Sequence, residues 1–142
     1  MTIYEAIAYL DKMTNKNHDF DLFKKCVDTL RNKPKMLIKY YQFLSLYAPR
    51  INSTAIYNLL HTNFDDDKDK IKQLQVASAL SFSSESTYID KIIPPNRSIV
   101  FEIPNDKYDS YSMLIDHLPK NYKYHICKLN KDNKILIAIY HV

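Results

Sequence analysis

Two histidines and a cysteine, His125, Cys127 and His141, come closest to a soft metal-ligand set in this chain. A hairpin closed by residues 130–133 pairs Tyr122 with His141 and His125 with Ala138. Side chains alternate along a strand, so His125 and Cys127 share one face while His141 turns to the other. No fourth ligand is in view, and no metal site is expected. Glu102, Asp106, Asp109, Asp116 and His117 lie near one another in sequence, as the carboxylates of a metal-dependent nuclease would. Such sites need two or three carboxylates converging with a lysine. Here Glu102 falls on the exposed side of its strand, and the aspartates suit helix capping and solvation. Cys127 as a nucleophile has His125 two residues away, but the strand does not aim the ring at the sulfur. The expectation is a protein without catalytic residues, metal or cofactor.

Glycine is absent from all 142 residues. At an average usage of about 7%, roughly ten would be expected. A GxGxxG dinucleotide loop, a Walker A loop, a GxSxG elbow and a GXXG clamp all need backbone that glycine alone supplies cheaply. Nucleotide-driven phosphoryl transfer and Rossmann-type redox chemistry are therefore excluded as expectations. Lysine, isoleucine, tyrosine and asparagine are abundant, while arginine occurs only at positions 31, 50 and 97. These biases follow AT-rich codons and point to a virus, phage or other mobile element.

The net charge is +4, unevenly spread. Residues 22–50 carry Lys24, Lys25, Arg31, Lys33, Lys35, Lys39 and Arg50 against Asp28 alone. Residues 120–142 carry five lysines against Asp132 alone. Tyrosines interleave with them in Lys39-Tyr40-Tyr41 and Asn121-Tyr122-Lys123-Tyr124. A nucleic-acid surface on segments 33–41 and 120–134 would use Lys35, Lys39, Lys123, Lys128, Lys131 and Lys134 for phosphate contacts, with tyrosines stacking on bases. The bland alternative places the lysines on solvated faces and the tyrosines in the core.

Leu22, Cys26 and Leu30 follow one another at i, i+4 and i+8 in Asp21-Leu22-Phe23-Lys24-Lys25-Cys26-Val27-Asp28-Thr29-Leu30. This string is similar to the BC box by which ubiquitin-ligase substrate adaptors dock a helix into Elongin C. Asp21 departs from the small residue or proline usual at the first position. The resemblance implies recruitment of a cullin ligase by an intracellular effector, although no cullin-binding segment follows. An amphipathic helix burying that stripe in its own bundle has the same spacing.

The elements that must carry these residues fall into two sets. Thr2 and Glu5 form a capping box ahead of Ile3, Ala6, Ile7, Leu10 and Met13. Asp19 or Asp21 caps a second helix that stops near Asn32, because Pro34 restricts the residue before it. Pro34 opens a third helix, lined by Met36, Leu37, Tyr40, Phe43, Leu44 and Tyr47 and ended by Pro49. Ser53 caps a fourth, and the aspartates at 65, 66, 67 and 69 favour the start of a fifth running to about Leu80. The polar stretch 81–87 and Pro94-Pro95-Asn96 then mark two breaks, with the boundary between them.

After the break the period changes. Ile99, Phe101 and Ile103 alternate as a strand, Asp106 to Leu118 reads as a helix, and Tyr122–Leu129 and Lys134–Val142 read as two strands. A right-handed crossover places the first two strands parallel, with the last inserted antiparallel between them. That last strand is apolar on both sides, so it should be central and covered, one face by its own helix and the other by the bundle. The fold class is thus α+β: a bundle of about five short helices over 1–82, a linker over 83–97, and a split β-α-β-β sheet over 98–142.

With 46% hydrophobic residues a real core is available. The longest apolar run, Ile135 to Tyr140, is far short of the roughly 20 residues that span a bilayer. Met1–Glu5 lacks a signal-peptide pattern, and two distant cysteines suit a reducing compartment. The expected protein acts in the cytoplasm, away from membranes, by binding a host protein. Nucleic-acid binding is the alternative.

Overall fold

The computed structural model describes residues 1–82, 84, 86–93, 96–116, 118–129 and 132–142, with backbone alone for residues 110–113. Helix α1, Ile3–Lys12, starts at the Thr2–Glu5 capping box, both arms of which are formed. Helix α2, Phe20–Thr29, is capped by Asp19, whose carboxylate accepts from the amides of Asp21 and Leu22. Pro34 opens α3, Pro34–Leu37, because its fixed φ suits a first helical position. The expected single helix over 34–47 is instead broken. A 3-10 turn at residues 38–40 separates α3 from α4, Tyr41–Tyr47, and Met36 stays exposed. Asn52 rather than Ser53 caps α5, Ser53–His61, accepting from the amides of Thr54 and Ala55. An amide oxygen two atoms from its backbone reaches both donors, so Ser53 becomes the first helical residue.

Helix α6, Asp67–Phe82, is the axis of the molecule. It lies against α4, against strand β1, Ser98–Pro104, and against α7, Tyr108–Asp116. Ile71, Gln73, Leu74, Gln75, Val76, Ala77, Ser78 and Leu80 are all buried, so it has no solvent stripe of the usual kind. The segment from 83 to 97, expected as a linker, sends Ile89 and Ile93 into the same core. Pro94 and Pro95 of the expected break lie outside the described residues.

Strands β2, Tyr122–Leu129, and β3, Lys134–His141, complete a three-stranded sheet of order β1-β3-β2. Strand β3 is antiparallel to both neighbours, so β1 and β2 run parallel to each other. The register is the one the hairpin length dictates, with Tyr122 opposite His141 and His125 opposite Ala138. Asn96 and Asn133 take positive φ of 66° and 53°, the left-handed positions that glycine would fill in most chains. Asparagine tolerates them best among the remaining residues. The α+β architecture, helices first and sheet last with its final strand central, is the one the periodicity predicts.

One expectation about the sheet is corrected. Ile99, Phe101, Ile103, Ile135, Ile137 and Ile139 form one face, and all but half-buried Ile99 are fully buried. None of the residues on the other face is buried. The bundle, through α6, therefore packs on the covered face instead of closing the second face. Leu136 and Ala138 remain only half-buried there. Among the described residues, no helix is long and apolar enough to cross a membrane.

Candidate functional site

The open face of the sheet is built from alternate residues of all three strands. Across it run three rows set by the register: Ser98, Tyr140 and Lys123; Val100, Ala138 and His125; Glu102, Leu136 and Cys127. Val100, on the edge strand β1, is 56% exposed and Tyr140, on β3, 39%, beside half-buried Leu136 and Ala138, so the face carries uncovered apolar surface. Its rim is charged. Lys134 reaches Glu102 at 3.7 Å, leaving Lys123 as the lysine beside the tyrosine ring without an ion-pair partner among the described residues. The sequence placed Glu102, His125 and Cys127 on this face by alternation. It did not mark the face as open, because apolar residues at 136 and 138 read the same whether covered or bare.

His125 and Cys127 share the open face, while His141 lies on the covered side. There its ring packs edge-on against Tyr122, 5.2 Å between centroids. Among the described residues, no three His, Cys, Asp or Glu side chains gather into a ligand set. Glu102 is engaged with Lys134, Asp106 sits in the 3-10 turn before α7, and Asp109 and Asp116 lie in its first and last turns. His117 lies outside the described residues.

The two basic segments do not merge into one described surface. Lys35 is exposed on α3, and Lys39 is tied to Asp11 at 3.0 Å. Tyr40 is buried, its hydroxyl donating to the same carboxylate at 2.6 Å, so it offers no stacking face. Tyr122 is buried as well. In the second segment Lys123 and Lys128 are exposed on opposite sides of β2, Lys134 is paired, and Lys131 lies outside the described residues. Of the expected base-stacking tyrosines there, Tyr124 is open, at 47% exposure. Tyr140, on the neighbouring strand, is the open ring that a reading of local lysine–tyrosine strings misses, because strand pairing alone brings it beside Lys123.

On α2, Leu22 is half-buried and Cys26 and Leu30 are fully buried. Their stripe meets α1, which packs directly on α2, and the Cys26 thiol lies 3.7 Å from the Met1 sulfur. Docking that stripe on another protein would first require α2 to leave the bundle. Comparison with known proteins finds no match to this chain, among family models, curated proteins or solved structures.

Proposed function

We propose that the chain is a non-enzymatic binding protein that engages a protein partner through the open face of its sheet, inside the cell and in the cytoplasm. The observation that carries this reading is Val100, 56% exposed on the edge strand β1, beside half-buried Leu136 and Ala138 and exposed Tyr140 on the same face. Contiguous apolar surface with a polar rim is what protein interfaces use, and burying it supplies the main driving force for association. The codon-driven composition supports a virus or mobile element as the source, and hence a host protein as the partner.

A second reading rests on Lys123 and Tyr140, which stand opposite each other across β2 and β3. That pair would suit a base stacked beside a phosphate contact. One experiment separates the two: affinity capture from host lysate by full-length protein, with and without nuclease, compared with Val100→Glu. A partner retained after nuclease and lost with Val100→Glu is the expected result. Capture that disappears with nuclease transfers the face to nucleic acid, and capture indifferent to Val100→Glu overturns the assignment of the face. The thermal midpoint of the variant should match the wild type, since residue 100 points to solvent.

A further inference from the structure

Between the bundle and the sheet lies a cavity of about 400 Å³, lined on one side by the α5–α6 connection and on the other by the segment that enters β1. Its charged walls are Lys70, Lys91 and Arg97, with His61 also lining it, and no carboxylate among the described residues lines it. Among the described residues none of these three cations is in an ion pair, whereas Lys39, Lys72 and Lys134 each are. Three cations held around one concavity without a counter-charge repel one another, and an anion entering it relieves that repulsion.

The parts that hold them are ordered by the fold. Buried Gln73 lines the cavity and donates its amide to the carbonyls of Leu59 and Thr62 at 2.8 and 2.9 Å. This satisfies the end of α5, whose bare carbonyls would otherwise repel an anion. Arg97 follows the left-handed turn at Asn96, and its carbonyl accepts from the His141 amide at 3.3 Å.

A second cavity, about 360 Å³, shares Leu60, His61 and Lys91 as walls with the first. It is mainly apolar and aromatic, with Pro49, Ile56, Tyr57 and Tyr88 around it. Tyr57 stacks on His61 at 3.9 Å between centroids, and the Tyr88 amide donates to the Ser81 hydroxyl at 2.9 Å, which fixes where that residue stands. An acidic peptide would satisfy the cations but leave the aromatic slot unused. A flat heteroaromatic ring bearing a phosphate uses both.

We propose that these adjoining cavities bind a nucleoside phosphate, with the phosphate held by Lys70, Lys91 and Arg97 and the base held in the slot walled by Ile56, Tyr57 and Tyr88. The ligand is either a free nucleotide or the phosphorylated end of a single strand. The site meets the open sheet face at Ser98 but does not depend on the proposal made for that face.

The test is calorimetric titration of the full chain with AMP, UMP, adenosine, inorganic phosphate, and an RNA octamer with and without a 5′-phosphate. The expected result is binding of a nucleoside monophosphate, at least about tenfold tighter than either inorganic phosphate or the bare nucleoside. Arg97→Gln and Lys91→Gln, both at exposed positions, should each weaken it by about tenfold. Tyr57→Ala should weaken the nucleotide while leaving inorganic phosphate unchanged. Binding of the 5′-phosphorylated octamer but not of AMP keeps the proposal and identifies the source as a strand end. Phosphate binding as tightly as AMP, equal binding of octamers with and without the 5′-phosphate, or no heat from any ligand at millimolar concentration overturns it. Thermal melts of each variant confirm folding, and the wild-type titrations decide the matter without them.

Discussion

The Tyr122 hydroxyl donates to the Asp90 carboxylate, and the main-chain oxygen of Ile93 lies 2.6 Å from the same hydroxyl. One buried side chain at the start of β2 thereby clamps the segment that leads into the sheet. Tyr122→Phe removes the donor and leaves a carboxylate and a carbonyl short of a partner. The expected loss is about 1–3 kcal/mol, read as a lower denaturation midpoint with an unchanged m-value.

The same residue contributes to the alkaline limb, as does Tyr40, raised by burial and its hydrogen bond to Asp11. Burial, reinforced by the hydrogen bond to Asp90 and its negative charge, pushes the Tyr122 phenol well above the ordinary value of 10.0. A group whose folded pKa is raised stabilises fully below its unfolded value, and that contribution fades as pH rises beyond it. Stability should therefore fall above pH 10, and Tyr122→Phe should flatten the decline. Denaturation at pH 8, 10 and 11 checks this, with phenolate absorbance reporting the late ionisation.

On the acid side Asp11 has the opposite sign. The hydrogen bond from the Tyr40 hydroxyl, aided by the one from Lys39, holds its carboxyl below the ordinary 3.8. A depressed folded pKa stabilises above the unfolded value, and the contribution is lost as pH falls through the folded one. Asp11→Asn should lower stability at pH 7 and approach wild type as the pH falls well below 3.8. Urea midpoints from pH 2 to 7 would reveal the convergence.

Ile137 is fully buried in the middle strand, between Phe101 and Ile126. Ile137→Asp places a charge where no partner exists, a cost of several kcal/mol against a typical stability of about 5–15. Loss of the cooperative melt is expected. Ile137→Ala should remain folded and lose about 2–5 kcal/mol, the usual result of a core cavity.

The two thiols should behave differently. Cys26 is buried, and burial pushes its thiol up, whereas Cys127 is exposed on the open sheet face. One thiol should react with a disulfide reagent within the mixing time, and the second only after denaturant is added. Cys127→Ser should abolish the fast step.

Much of this architecture is legible in single residues. The capping box needs only Thr2 and Glu5, Pro34 marks a helix start, and the short turn after Leu129 sets the register that puts His125 opposite Ala138. Leu136, Ala138 and Tyr140 were legible as apolar but not as uncovered, because a strand pattern reports polarity and not the layer above it. Asn52 and Ser53 are both good caps, and only the backbone decides between them. The two adjoining cavities left no local signal. Tyr57, Lys70, Lys91 and Arg97 are dispersed over some forty residues and meet only because α6 carries one half of the molecule against the other.

The position of β3 also sets an order of events during synthesis. Among the described residues, β1 and β2 each have β3 as their only hydrogen-bonded strand. At ribosomal speeds of roughly 5–20 residues per second, β1 waits roughly 2–7 s for its partner to be made. Until then Phe101 and Ile103 have α6 to rest on but no strand paired with their main chain. The nascent chain is then a helical body with two sticky ribbons, open to capture by chaperones or by other copies. Neither outer strand can pair before β3 is made, so the sheet's hydrogen bonding waits on that one strand.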